Sequence, residues 1–143
     1  MKQIDRTITT DAPAEKVWAF MSDFTNTEQW DPPTVSTTLI GGDGGVGSVY
    51  GNVSHLLGRD VTIHYTVLEF EPERFIELRG VTNAMRMIDT MEVTGTPFGS
   101  QLRYVARFYP QGAARLAEPL LPLGLRRLGD RAEAQISQCL SQL

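Results

Sequence analysis

Asp89 is the residue best placed for proton chemistry. Met85, Met87, Asp89, Met91 and Val93 recur at every second position, which puts all five side chains on one face of a strand. If that face is the inner one, a carboxyl sits in an apolar wall. Desolvation then disfavours its charged form and raises its pKa, which suits a proton donor or a ligand anchor. Two duller readings stay open: a bulge turns Asp89 to solvent, or an arginine neutralises it. Tyr65 and Tyr104 lie on apolar faces of other strands, where their hydroxyls could orient a polar ligand end.

The other reactive residues offer less. His55 and His64 are the two histidines, with no His-x-x-x-His or Cys-x-x-Cys spacing, so three or four metal ligands do not assemble and no metal is expected. His64 opposes the apolar alternation of Val61, Ile63 and Tyr65, so it faces outward. Cys139 sits on the apolar stripe of a helix, where a free cysteine behaves as a small hydrophobe. The run Gly42 to Gly47 has the spelling G-x-G-x-x-G, but a strand follows it where a dinucleotide site needs a helix. It reads as a hairpin turn, with a secondary role open as a lid over a cavity mouth. No cofactor is expected.

Several elements must position these residues. Ile4, Arg6 and Ile8 alternate with Asp5, Thr7 and Thr9, as in a strand. Asp11-Ala12-Pro13-Ala14-Glu15 starts a short helix whose stripe is Val17, Trp18, Phe20 and Met21. Ser22 or Asp23 caps a second one, which runs to Trp30 and is ended by Asp31-Pro32-Pro33. Strands follow over 34–40, 46–57, 61–67 and 75–80, then on Met85 to Val93 and on Leu102, Tyr104, Ala106 and Phe108. Arg79, Arg86, Arg103 and Arg107 on these strands are expected to face solvent. Leu125, Leu128, Ala132, Ile136, Cys139, Leu140 and Leu143 then recur at helical steps from about Leu121 to Gln142. The stripe extends back through Leu116, Leu120 and Leu123, with a break or kink at Pro119 and Pro122.

The result is an α+β fold: one domain over 1–143, with a seven-stranded curved antiparallel sheet around a long C-terminal helix and two short helices after the first strand. With 13 basic and 17 acidic residues the net charge is −4. The only basic grouping is Arg126-Arg127 with Arg131, too little for nucleic-acid binding. No stretch approaches the ~18 apolar residues of a membrane span. A single cysteine excludes an intrachain disulfide and fits a reducing compartment, so a cytoplasmic protein is expected. Monomer and homodimer are equally compatible with the sequence.

Five segments resemble the START-like (SRPBCC) superfamily, which includes the polyketide cyclase/dehydrase families. They are DAPAEKVWAFMSDFTNTEQWDP, GVGSVY, YTVLEFEPERFIELRG, FGSQLRYVARF and PLLPLGLRRLGDRAEAQISQCL. In order, they resemble the family's helix pair, its glycine turn, its fourth and fifth strands around a Glu-Pro turn, its seventh strand and its long gripping helix. The resemblance implies the helix-grip fold with a cavity between sheet and helix, and lipids, isoprenoids or polyketides as ligand classes. It implies no single reaction, because fold alone does not fix function.

The leading expectation is therefore a binder of a small hydrophobic ligand. Its lining is expected to be Trp30, Tyr65, Met85, Met87, Asp89, Met91, Tyr104 and Phe108, with Leu120 and Leu123 from the last helical stretch. Flexible methionine walls accommodate varied ligand shapes. The alternatives are a cofactor-free cyclase or dehydratase using the same cavity, with Asp89 as its acid or base, and a protein-interaction module.

Overall fold

The computed structural model describes residues 2–143. The strands are β1 (Gln3–Thr10), β2 (Thr34–Gly41), β3 (Val49–Leu56), β4 (Arg59–Glu71), β5 (Phe75–Val81), β6 (Met85–Thr96) and β7 (Gly99–Pro110). They form one antiparallel sheet in the order β1-β7-β6-β5-β4-β3-β2. The helices are α1 (Ala14–Ser22), α2 (Thr27–Trp30) and α3 (Leu121–Leu140). This is the helix-grip arrangement: every strand from β2 to β7 is hairpin-linked to the next, and α3 lies against the concave face, gripped by β1 and α2.

Alternation sets the two faces. Ile4 and Ile8 are buried and Asp5, Thr7 and Thr9 exposed on β1. On β6, Met87, Asp89, Met91 and Val93 are buried. Between Leu56 and Arg59 the chain turns in two residues, Leu57 and Gly58, both with positive φ (52° and 79°), as a type I′ hairpin requires. Strand β3 begins at Val49; Val46, expected in it, is exposed in the glycine turn. Asp23 caps the turn before α2, its carboxylate accepting from the Thr25 backbone N–H at 3.1 Å. Among the expected outward arginines, Arg79, Arg86 and Arg103 are exposed and Arg107 is half-buried.

The stripe of α3 buries Leu125, Ala132, Ile136 and Leu140. Its expected backward extension fails: Leu116, Leu120 and Leu123 are 88%, 68% and 76% exposed. Gly112–Leu120 is wound as 3-10 helix, with Pro119 inside it. Three residues per turn, in place of 3.6, throw its leucines out of line with the α-helical stripe. Pro122 falls in the first turn of α3, where a missing N–H costs nothing. Leu143 lies beyond the helix end and is exposed.

Arg6 joins the two layers. Its guanidinium donates to Asp130 at 2.8 Å, Glu133 at 3.1 Å and the Arg126 carbonyl at 3.3 Å. Gly129 leaves space for it, since a Cβ there would stand 2.7 Å from an Arg6 nitrogen. No helix of the described residues is long and apolar enough to cross a membrane.

Candidate functional site

A cavity of about 60 Å³ lies between the sheet, the α2–β2 junction and α3. Asp89 forms part of its wall and is 5% exposed. Its cross-strand neighbours are Leu78 on β5 and Ala106 on β7, so no polar side chain flanks it within the sheet. Burial, and secondarily the charge of Asp31, push its pKa up to about 8. Neither a bulge nor an arginine intervenes: β6 pairs in unbroken register on both sides, and no hydrogen bond or ion pair of Asp89 exists among the described side chains.

Asp31 faces the same cavity from the end of α2. Burial raises its pKa to about 6, and a hydrogen bond from Thr34 opposes the rise. Asp31 keeps part of its surface accessible, so desolvation acts on it less than on Asp89. The two carboxyls are thus pushed apart in acidity. Asp89 therefore holds its proton to higher pH than Asp31 does.

Asp31 is anchored by a buried polar chain. Ser54 Oγ donates to Asn52 Oδ1 at 2.7 Å. Asn52 Nδ2 donates to Thr34 Oγ1 at 3.1 Å and to Thr37 Oγ1 at 2.8 Å. Thr34 donates to Asp31 Oδ2 at 2.6 Å. Thr27 gives its single hydroxyl proton to the Phe24 carbonyl, so Thr37 donates across the 2.6 Å Thr37–Thr27 contact. Every proton in this chain has an acceptor, which is the condition for a buried network to be rigid.

Aromatic packing backs the cavity. Trp30 meets Tyr104 edge-on, with ring centroids 5.2 Å apart at 75°. Phe24 packs on Tyr65 at 4.8 Å. Burial, with the nearby carboxylates, lifts both tyrosine hydroxyls well above their ordinary range, so both stay protonated. The Tyr65 hydroxyl meets the Met87 sulfur at 3.9 Å. Trp30 Nε1 is buried with no hydrogen-bond partner among the described residues.

Of the expected lining, Trp30, Tyr65, Met87, Asp89, Tyr104 and Phe108 come together at the cavity. Met85, at the start of β6, is only partly buried, and Met91 is fully buried in the core; neither reaches the cavity. Leu120 is in solvent at the end of the 3-10 segment, and Leu123 is in solvent within α3, two residues before buried Leu125 and so on the opposite side of the helix. Asp31, Asn52 and Ser54 were not singled out from the sequence. Asn52 and Ser54 do share a period-two face with Tyr50, but only the fold reveals that this face is concave.

The remaining candidates lie elsewhere. His55 Nδ1 meets Asp60 at 2.8 Å on the exposed β3–β4 turn, and His64 is exposed. The Cys139 thiol donates to the Gln29 carbonyl at 3.6 Å. The glycine loop borders a separate open groove of about 440 Å³, which Tyr50 and Phe70 also line, and contributes no residue to the cavity lining. No cluster of His, Cys, Asp or Glu suited to a metal occurs among the described residues.

Comparison with known proteins bears on this geometry. Residues 1–136 match the model of the family described as polyketide cyclase / dehydrase and lipid transport. No curated protein matches the chain significantly. Among solved structures, the chain is similar to the Zhui aromatase/cyclase from a Streptomyces species. The TM-score is 0.79 at 18% identity, covering 95% of this chain and 91% of that one. It is also similar to a START superfamily protein from Mycobacterium smegmatis, with a TM-score of 0.71 at 15% identity, covering 96% and 98%. At these identities the likeness is one of fold.

Proposed function

The chain belongs to the polyketide cyclase / dehydrase and lipid transport family, and on that premise we propose that it holds a small lipophilic molecule in the cavity between the sheet and α3. The observation that carries this reading is Asp89. A buried carboxyl without a partner costs stability, and Asp89 stands in the cavity wall with no such partner. A ligand hydroxyl or carbonyl oxygen supplies the partner that Asp89 lacks.

The cavity of about 60 Å³ has room for a few waters, against roughly 300 Å³ or more for a ligand pocket. A ligand therefore enters by parting side chains at its mouth. Leu56 on β3 and Leu128 on α3 both line the cavity and keep part of their surface in solvent. Moving them breaks no sheet hydrogen bond.

The split acidity of Asp89 and Asp31 supports a second reading, a dehydration of the kind that follows ring closure in polyketide-like chains. Asp31, the carboxylate, takes the proton from the carbon beside a ketone. The electron pair forms the new C=C bond as the neighbouring C–O bond breaks, and Asp89 gives its proton to the departing hydroxyl, which leaves as water. The proton taken by Asp31 returns to Asp89 before the next turnover. No cofactor enters this balance.

Native mass spectrometry of gently purified protein tests the binding reading. A small-molecule adduct is expected in the parent and is lost in Ala132→Leu, which fills the cavity from α3. An adduct that Ala132→Leu retains would place binding elsewhere. For the second reading, Asp89→Asn should keep the adduct and abolish turnover.

A further inference from the structure

The wall of the cavity carries two carboxyl groups, Asp31 and Asp89, and among the described residues no lysine, arginine or histidine. Arg6, on the inward face of β1, is committed to Asp130 and Glu133 and is not part of the lining. The free polar group of this wall suits an uncharged oxygen. Asp89 is nine-tenths buried with no partner and presents both a donor and an acceptor while protonated. Ser54 has given its proton to Asn52 and can only accept.

We propose that this cavity selects its ligand by head-group charge, taking uncharged lipophiles with a hydroxyl or carbonyl group and refusing the carboxylates of the same chain. The inference rests on the cavity being the binding site, and it narrows the ligand class within that reading. A carboxylate buried here meets Asp31 in a closed space with no cation to offset either charge, and like charges brought together across a recognition site cost enough to act as a specificity device. An alcohol or ketone meets the Asp89 carboxyl with no charge of its own to desolvate.

The test uses the full chain and two probes of equal length, dodecanol and dodecanoate, titrated calorimetrically at neutral pH below their aggregation limits. Dodecanol should bind about 100-fold tighter than dodecanoate. Asp31→Asn should strengthen dodecanoate about tenfold and leave dodecanol nearly unchanged. Leu56→Lys supplies a second variant that does not depend on a buried substitution, because Leu56 is 37% exposed at the cavity wall; the added cation should also strengthen dodecanoate selectively. Equal affinity for the two probes, or a preference for dodecanoate, overturns the inference and leaves the binding site standing. A preference for dodecanol untouched by either variant overturns its assignment to the Asp31 wall. Binding of neither probe overturns the binding-site reading itself.

Discussion

Thr34 and Asp31 stand three residues apart across Pro32-Pro33, and the Thr34 hydroxyl donates to Asp31 Oδ2 at 2.6 Å. Asp89, on the same cavity, has no such donor. That single difference, added to the deeper burial of Asp89, separates two chemically identical groups into pKa values of about 6 and about 8.

Thr34→Val should therefore narrow the separation. Losing the donor removes what opposes desolvation, so the Asp31 pKa rises by about one unit. Carboxyl chemical shifts followed through a pH titration check this, and an unmoved Asp31 would show that the bond does not favour the charged form.

Asp89 makes stability depend on pH with a defined sign. Its ordinary value is 3.8 and its folded value about 8, so between these the folded state binds more protons than the unfolded one. Stability is then full below about pH 4, falls as pH rises toward 8, and levels off above. Asp31 adds a loss of the same sign between 3.8 and about 6. Asp89→Asn should stabilise the protein at pH 8 by on the order of 2 kcal/mol or more and change little at pH 4. Urea denaturation at the two pH values measures it; an equal effect at both would mean that burial does not hold the proton on Asp89.

Gly80 lies directly opposite Tyr65 across β5 and β4, and a Cβ on it would stand 2.5 Å from the Tyr65 ring. The ring is buried against Phe24 and cannot swing freely. Gly80→Ala should cost about 1–3 kcal/mol, and most of that should disappear in a Tyr65→Leu background. A double-mutant cycle by thermal or chemical denaturation gives the coupling; additivity would mean that the sheet simply yields.

Leu120→Gln and Leu123→Gln replace side chains in solvent. Each should change stability by no more than about 0.5 kcal/mol and leave ligand uptake unaltered. A loss of uptake would bring the junction of the 3-10 segment with α3 into the site.

Arg6→Met removes the tie between β1 and α3 but keeps much of the aliphatic stem. These pairs are partly exposed, so the stability loss should be only about 1 kcal/mol. Amide exchange should quicken in the Arg126–Glu133 stretch of α3 more than in the sheet, a pattern that hydrogen-exchange mass spectrometry resolves.

Much of this protein was legible in its residues, because patterns of period 2 and 3.6 are local. Strand alternation in β1, β4 and β6, the proline stop after Trp30 and the α3 stripe from Leu125 to Leu140 each follow from neighbours a few positions apart. The same alternation put Asp89 among methionines and so marked it as a buried carboxyl. What the sequence could not determine was which faces meet. Asp31 reads as a helix end until the fold turns it toward a residue 58 positions away on β6, and Asn52 reads as an ordinary strand polar until Thr34 and Thr37 close on it from an edge strand. Leu116 and Leu120 were misplaced for a related reason: a change from 3.6 to three residues per turn shifts which face a leucine occupies, and nothing in their spacing announces it. Local periodicity determined the elements and one acid, while long-range packing alone decided the second carboxyl, its polar anchor and the size of the space between them.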